Sequence, residues 1–144
     1  MGDLKWVLLV EDEEDHRLLV RQALHRLGNT QPVLEAESGE KALSWMKRQV
    51  ERLGPLRGGL VILDLGLPGI SGFEVLQEMR EIPGLDDTPV VILTASENSM
   101  DQDHAFNLGA KGYFQKPMDF REYQSILERV LALRPPDSEG SATA

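Results

Sequence analysis

The stretch LVILDLGLPGISG (60–72) runs through four apolar residues and stops on a carboxylate, Asp64. A short run that is apolar throughout, rather than alternating, marks a strand covered on both faces, as in a parallel sheet between layers of helix. Gly66, Pro68, Gly69 and Gly72 then supply the residues of a loop. An acid at the carboxyl end of such a strand stands where open parallel sheets build their sites.

The pattern repeats on either side. WVLLV (6–10) and PVVIL (89–93) are equally apolar, while PVLEA (32–36) and GYFQ (112–115) are mixed and suit positions nearer the sheet edges. Between these runs, apolar residues at helical spacing predict helices. They cover 14–27 (Leu19, Val20, Ala23, Leu24, Leu27) and 39–50 (Ala42, Leu43, Met46, Val50, with Ser38 as cap). Others cover 72–80 (Phe73, Leu76, Met79) and 119–133 (Tyr123, Ile126, Leu127, Val130, Leu131); 100–108 has only Ala105, Phe106 and Leu108. Strand and helix alternate five times. With right-handed crossovers, that predicts an α/β doubly wound sandwich built on a five-stranded parallel sheet with five helices. One domain over 1–133 is expected, followed by a flexible tail, RPPDSEGSATA (134–144). No G-x-G-x-x-G comes after the first strand, and the EDEED found there would repel a pyrophosphate.

A chain of 144 residues fits one domain, and 41% hydrophobic residues suffice for a core without staples. There is no cysteine, which excludes thiol chemistry and Cys-ligated zinc and fits a reducing compartment. Fifteen basic and 24 acidic side chains give a formal charge of −9, which argues against nucleic acid as a partner. The opening MGDLKWVLLV is too short for a membrane span and lacks the features of an export signal; no membrane partner and a cytoplasmic setting are expected.

The residues just past each strand define the candidate site. Glu11 and Asp12 come after the first, Asp64 after the third, Thr94, Ala95 and Ser96 after the fourth, and Lys116 then Pro117 after the fifth. Singly, each has a bland explanation. EDEED suits the start of a helix, where acids complement the dipole. Asp64 could be a turn residue, Thr94 an ordinary strand end and Lys116 a solvated charge. Independent causes would not place an acid pair, an acid, a hydroxyl and a lysine at the same end of four strands. Clustered carboxylates repel unless a cation intervenes. Oxygen-only ligands with room for water suit Mg²⁺, or Mn²⁺, rather than zinc. His16, His25 and His104 fall in helical patterns and make poor candidates as metal ligands. An ammonium is donor-only, so Lys116 serves something other than the metal. Metal, hydroxyl and ammonium together suit a phosphoryl group, with a carboxylate oxygen of Asp64 as the attacking atom.

At these residues the chain resembles the receiver domains of two-component response regulators. The match runs from WVLLVEDEED through LVILDLGLPGISGFEVL and PVVILTAS to GAKGYFQKP. The resemblance implies a flavodoxin-like, CheY-like fold with strand order 2-1-3-4-5. It implies Asp64 as phosphoacceptor, and Asp12, Asp64, the Gly66 carbonyl and, through water, Glu11 as metal ligands. Thr94, Ala95 and Lys116 would bind the phosphoryl group. Thr94 and Tyr113 would form the switch, and the Lys116–Pro117 peptide would be cis. The donor would be a sensor histidine kinase. Gly66 replaces the side chain that many relatives carry there, which leaves a carbonyl ligand intact and bears instead on the lifetime of the phosphate.

No second domain comes after the fifth helix, so a stand-alone receiver is expected, acting by protein contact or phosphate relay rather than as an enzyme. The face of the fourth helix, fifth strand and fifth helix could support a homodimer. The long connection RQVERLGPLRGG, together with DLGLPG, resembles stand-alone receivers paired with bacterial phytochrome-type kinases. Two other readings compete. Mg²⁺-dependent phosphatases of the haloacid dehalogenase type also use a strand-end Asp nucleophile, but need a second Asp where this chain has Gly66. A pseudo-receiver would dock without metal or phosphate.

Overall fold

The computed structural model describes residues 4–133. Five strands alternate with five helices: β1 Trp6–Val10, α1 Glu14–Arg26, β2 Val33–Ala36, α2 Gly39–Leu53, β3 Gly59–Leu63, α3 Gly72–Glu81, β4 Val90–Thr94, α4 Ser99–Asn107, β5 Gly112–Gln115 and α5 Glu122–Leu131. All strands pair in parallel, in the order β2-β1-β3-β4-β5. The expected tail at 134–144 lies outside the described residues.

Successive side chains of a strand point to opposite faces, and the core divides accordingly. Leu8, Val10, Val61, Leu63, Val90 and Ile92 pack with α2 and α3 residues such as Ala42, Met46, Leu76 and Met79. Val7, Leu9, Leu60, Ile62, Val91 and Leu93 pack on the other face with Val20, Leu24, Tyr123, Leu127 and Val130 of α1 and α5. Strands β3 and β4 are buried at every position, which is why their sequences do not alternate.

Two boundaries depart from the sequence reading. Helix α2 continues to Leu53 and ends where Gly54 takes φ +78, a left-handed conformation that suits glycine. Half of the supposed long connection is therefore helix, whose last turn leaves Leu53 exposed and adds nothing to the buried stripe of Ala42, Leu43 and Met46. Helix α5 starts at Glu122 rather than 119, because the Asp119 carboxylate accepts from the Arg121 backbone and holds a separate turn. In α3, Ser71 and Glu74 form a reciprocal capping box, fixing the start of the helix that comes after the Asp64 loop. Ser38 caps α2 as expected, accepting from the Lys41 backbone at 3.1 Å. Helix α4 buries only Ala105.

Candidate functional site

Sheet register brings four strand ends level. Val10 pairs with Leu63, and the Asp64 N–H donates to the Val10 carbonyl at 3.1 Å. Thr94 pairs with Gln115, and the Lys116 N–H donates to the Thr94 carbonyl at 2.7 Å. Arg17, buried on α1, donates to the Glu11 carbonyl and to Glu35 Oε1, both at 2.9 Å, tying the acidic turn to β2. Arg21 pairs with the same Glu35.

Gly72 sets how closely α3 approaches the site. A Cβ there would stand 2.3 Å from the Asp64 carbonyl oxygen and 2.8 Å from Leu65 Cα, both unyielding backbone atoms. Gly72→Ala is therefore expected to destabilise the protein by roughly 1–3 kcal/mol, the usual range for overpacking. Chemical denaturation measures that loss, and NMR shift changes should centre on Asp64 and Leu65 rather than along α3.

The Lys116 ammonium lies at the centre of the site. Its Nζ is 2.6 Å from Glu11 Oε1, 2.8 Å from Asp64 Oδ2 and 3.0 Å from His16 Nδ1. The remaining carboxylate oxygens are held by backbone: Glu11 Oε2 accepts from Glu13 N at 3.0 Å, and Asp64 Oδ1 from Gly66 N at 3.1 Å. Glu11 and Asp64 are only 3% and 6% exposed. Burial raises the proton affinity of Glu11, and the nearby Asp64 charge adds to it, more than the Lys116 and Glu13 hydrogen bonds lower it. Burial alone would lower the pKa of Lys116, yet hydrogen bonds to two carboxylates outweigh it and hold the ammonium above the ordinary lysine value. The directions agree physically: one ammonium faces two buried anions, so the cation gains from both while each anion gets only a share.

Glu11, Asp12 and Asp64 each offer an oxygen within 4.8 Å of the others. Asp12 is exposed, and so is Gly66, where an added Cβ would meet nothing within 4 Å. An all-oxygen set with one open side suits a hard divalent cation with water in its shell. The residues present therefore fit the metal that the sequence predicts.

Thr94 is buried at the end of β4, and Ala95 is the exposed residue after it. Tyr113 is half-buried against the α2–α4 side of the core, and its hydroxyl donates to the Ser96 carbonyl at 3.3 Å, linking β5 to the β4–α4 loop. One expectation is overturned. The Lys116–Pro117 peptide is trans, since the described residues contain no cis bond. Trans is the intrinsically favoured form of an X–Pro bond by about 0.5–1 kcal/mol, so a proline alone does not dictate cis.

The sequence reading also missed His16, set aside as a helical residue. A helical side chain leans toward the N-terminus of its helix. From the first turn of α1, His16 is thereby turned back toward the strand ends, and its spacing from Glu11 could have revealed that.

Over residues 7–128 the chain matches the family described as response regulator receiver domain. It is 30% identical to the response regulator Rcp1 of Synechocystis sp. over 88% of this chain and 86% of that protein. The crystal structure of Rcp1 in its Mn²⁺-bound form superposes with a TM-score of 0.74 at 32% identity, covering 85% of this chain and 91% of that one. The structure of the phosphorylated cyanobacterial phytochrome response regulator RcpA gives a TM-score of 0.76 at 30% identity, covering 92% and 99%. The transcriptional regulatory protein AfsQ1 of Streptomyces coelicolor is 33% identical over 95% of this chain, which spans 56% of that longer protein. On sequence and fold alike, the chain belongs to the response regulator receiver family, the CheY-like domain of two-component systems.

Proposed function

We propose that this domain accepts a phosphoryl group on Asp64 from a sensor histidine kinase and thereby switches a protein-binding face. The observation that carries this reading is the placement of Asp64: a carboxylate gripped by Lys116 at 2.8 Å, with open space beside Gly66. A carboxylate oxygen of Asp64 attacks phosphorus, the P–N bond to the donor imidazole breaks, and that imidazole leaves with the electron pair. Asp12, Asp64, the Gly66 carbonyl and, through water, Glu11 would hold Mg²⁺, or Mn²⁺, which supplies positive charge to the transferring oxygens. Lys116 adds a charge-assisted bond to a phosphoryl oxygen, and Thr94 with the Ala95 backbone binds the others. The Thr94 contact is read by Tyr113, whose link to Ser96 couples phosphorylation to the face of α4, β5 and α5. Met100 and Phe106 of α4 are exposed, and large apolar side chains on that helix support a homodimer or partner surface.

Likeness to the phytochrome response regulator RcpA supports a phytochrome-type kinase as the donor. Gly66 stands where a hydrolase of this chemistry needs an acid, so the protein acts as a phosphoacceptor rather than as an enzyme. No described helix is long and apolar enough to cross a membrane.

Incubation with acetyl phosphate and Mg²⁺ tests the reading: labelling at Asp64 that a chelator abolishes is the expected result, and rapid release of free phosphate over many turnovers would reject it.

Metal affinity should depend on pH. Because burial raises the Glu11 pKa, Glu11 takes up a proton at higher pH than a free glutamate does. Its contribution to folding is full below the unfolded glutamate value and declines as pH rises through the folded one. Metal binding, which needs the anion, runs the other way. Mg²⁺ affinity is expected to fall severalfold on acidification, and to fall less in Glu11→Gln, which has no carboxylate there to protonate. Isothermal titration calorimetry, with Glu11→Gln as the reference, measures this.

A further inference from the structure

We propose that His16 is a positioning residue for Lys116, its Nδ1 taking the third proton of the ammonium and so fixing the cation against Asp64. The inference rests on Asp64 being the phosphoacceptor, but its geometry does not.

An ammonium has three N–H bonds and no acceptor. Lys116 Nζ has three partners in the site: Glu11 Oε1 at 2.6 Å, Asp64 Oδ2 at 2.8 Å and His16 Nδ1 at 3.0 Å. Every proton is thus used. Because the ammonium only donates, the lone pair must lie on Nδ1 and the ring proton on Nε2. The Lys116 side chain is 8% exposed, so water is a poor substitute and a lost acceptor leaves a buried donor unsatisfied.

The identity of the third acceptor bears on the chemistry. Two carboxylates fix the ammonium along one line, and an acceptor from α1 fixes its rotation about that line. A neutral ring does so without adding a third anion to compete for the cation. The carboxylate of Glu13, 3.4 Å from His16 Nδ1, is not among the partners of Lys116. When Asp64 carries a phosphoryl group, the cation redirects its Asp64 bond while Glu11 and His16 hold it in place.

Glu11, Glu13 and His16 also have metal-compatible spacing. Lys116 already occupies Glu11 Oε1 and His16 Nδ1, which favours the positioning role over a second metal site.

The test uses the full chain with ¹⁵N-labelled histidine and two variants, His16→Leu and His16→Gln. Long-range ¹H–¹⁵N spectra of the wild type are expected to show the Nε2–H form of His16, with an Nδ1 shift displaced by hydrogen bonding that relaxes in Lys116→Met. With saturating acetyl phosphate, His16→Leu should be phosphorylated roughly tenfold more slowly, the effect of one bond to a charged group. Its half-saturating concentration should stay within about twofold, and His16→Gln, which keeps an acceptor, should recover most of the rate. A proton on Nδ1 would overturn the proposal, as would Leu and Gln variants that behave alike. A wild type that takes no phosphoryl group at all defeats the phosphoacceptor reading instead, and the ring-nitrogen spectra still decide the role of His16. Should His16→Leu fail to fold, the spectra and His16→Gln alone settle it.

Discussion

Asp64→Asn is expected to reduce phosphoryl incorporation from acetyl phosphate or a kinase by at least roughly a hundredfold, because an amide offers no anionic oxygen for attack. The fold should survive. The change removes one of two carboxylates that share a single ammonium in a nearly dry site, which relieves repulsion. It also gives up a hydrogen bond: Asp64 accepts from both Lys116 and Gly66, and an amide has only one oxygen to offer. These effects oppose one another and are each about 1 kcal/mol. The melting temperature should therefore stay within about 4 °C of the wild type. Loss of labelling with preserved melting separates a chemical role for Asp64 from a structural one. A variant that is still labelled at the wild-type rate contradicts the assignment.

Lys116→Met has the opposite profile. Removing the cation between Glu11 and Asp64 leaves two buried carboxylates facing each other, and breaking a buried ion pair from one side costs about 3–5 kcal/mol. The loss should be largest near neutral pH without divalent ions. Glu11 already has a raised proton affinity from burial, and without its hydrogen bond to Lys116 the shift grows. A folded-state pKa above the unfolded one stabilises below the unfolded value and loses that effect as pH rises through the folded value. Acid should accordingly restore much of the lost stability. Excess Mg²⁺ at neutral pH should restore part of it, by supplying charge to the same oxygens. Urea denaturation at two pH values, with and without Mg²⁺, measures both. A variant as stable as wild type at neutral pH would mean that the carboxylates do not depend on this ammonium.

The fold was legible because burial on both faces leaves a plain trace. Strands β1, β3 and β4 are apolar at nearly every position in the sequence and have almost no exposure in the structure. The site was legible for a related reason, since parallel strands present their carboxyl ends together and the residues after each strand can be read in order. What the sequence concealed was set by contacts rather than pattern. The last turn of α2 leaves Leu53 exposed and lies off the buried stripe, and its end is fixed by the backbone of Gly54. The need for glycine at position 72 appears only when α3 lies against the Asp64 carbonyl. His16 looked like one more polar residue on a helix, and only the long-range contact between the first turn of α1 and the residue after β5 brings it to Lys116. The expected cis bond at Pro117 was an inheritance from resemblance, with no local cause in the residues around it.

The central claim is that these buried charges make one particular aspartate nucleophilic toward phosphorus. Borohydride reduction of the freshly phosphorylated protein, with peptide mass spectrometry of the product, tests it most directly, because reduction converts an aspartyl phosphate to homoserine. Homoserine at position 64 alone is the predicted result. Reduction product at Asp12 or Glu11 instead, or phosphate recovered on a histidine, would contradict it.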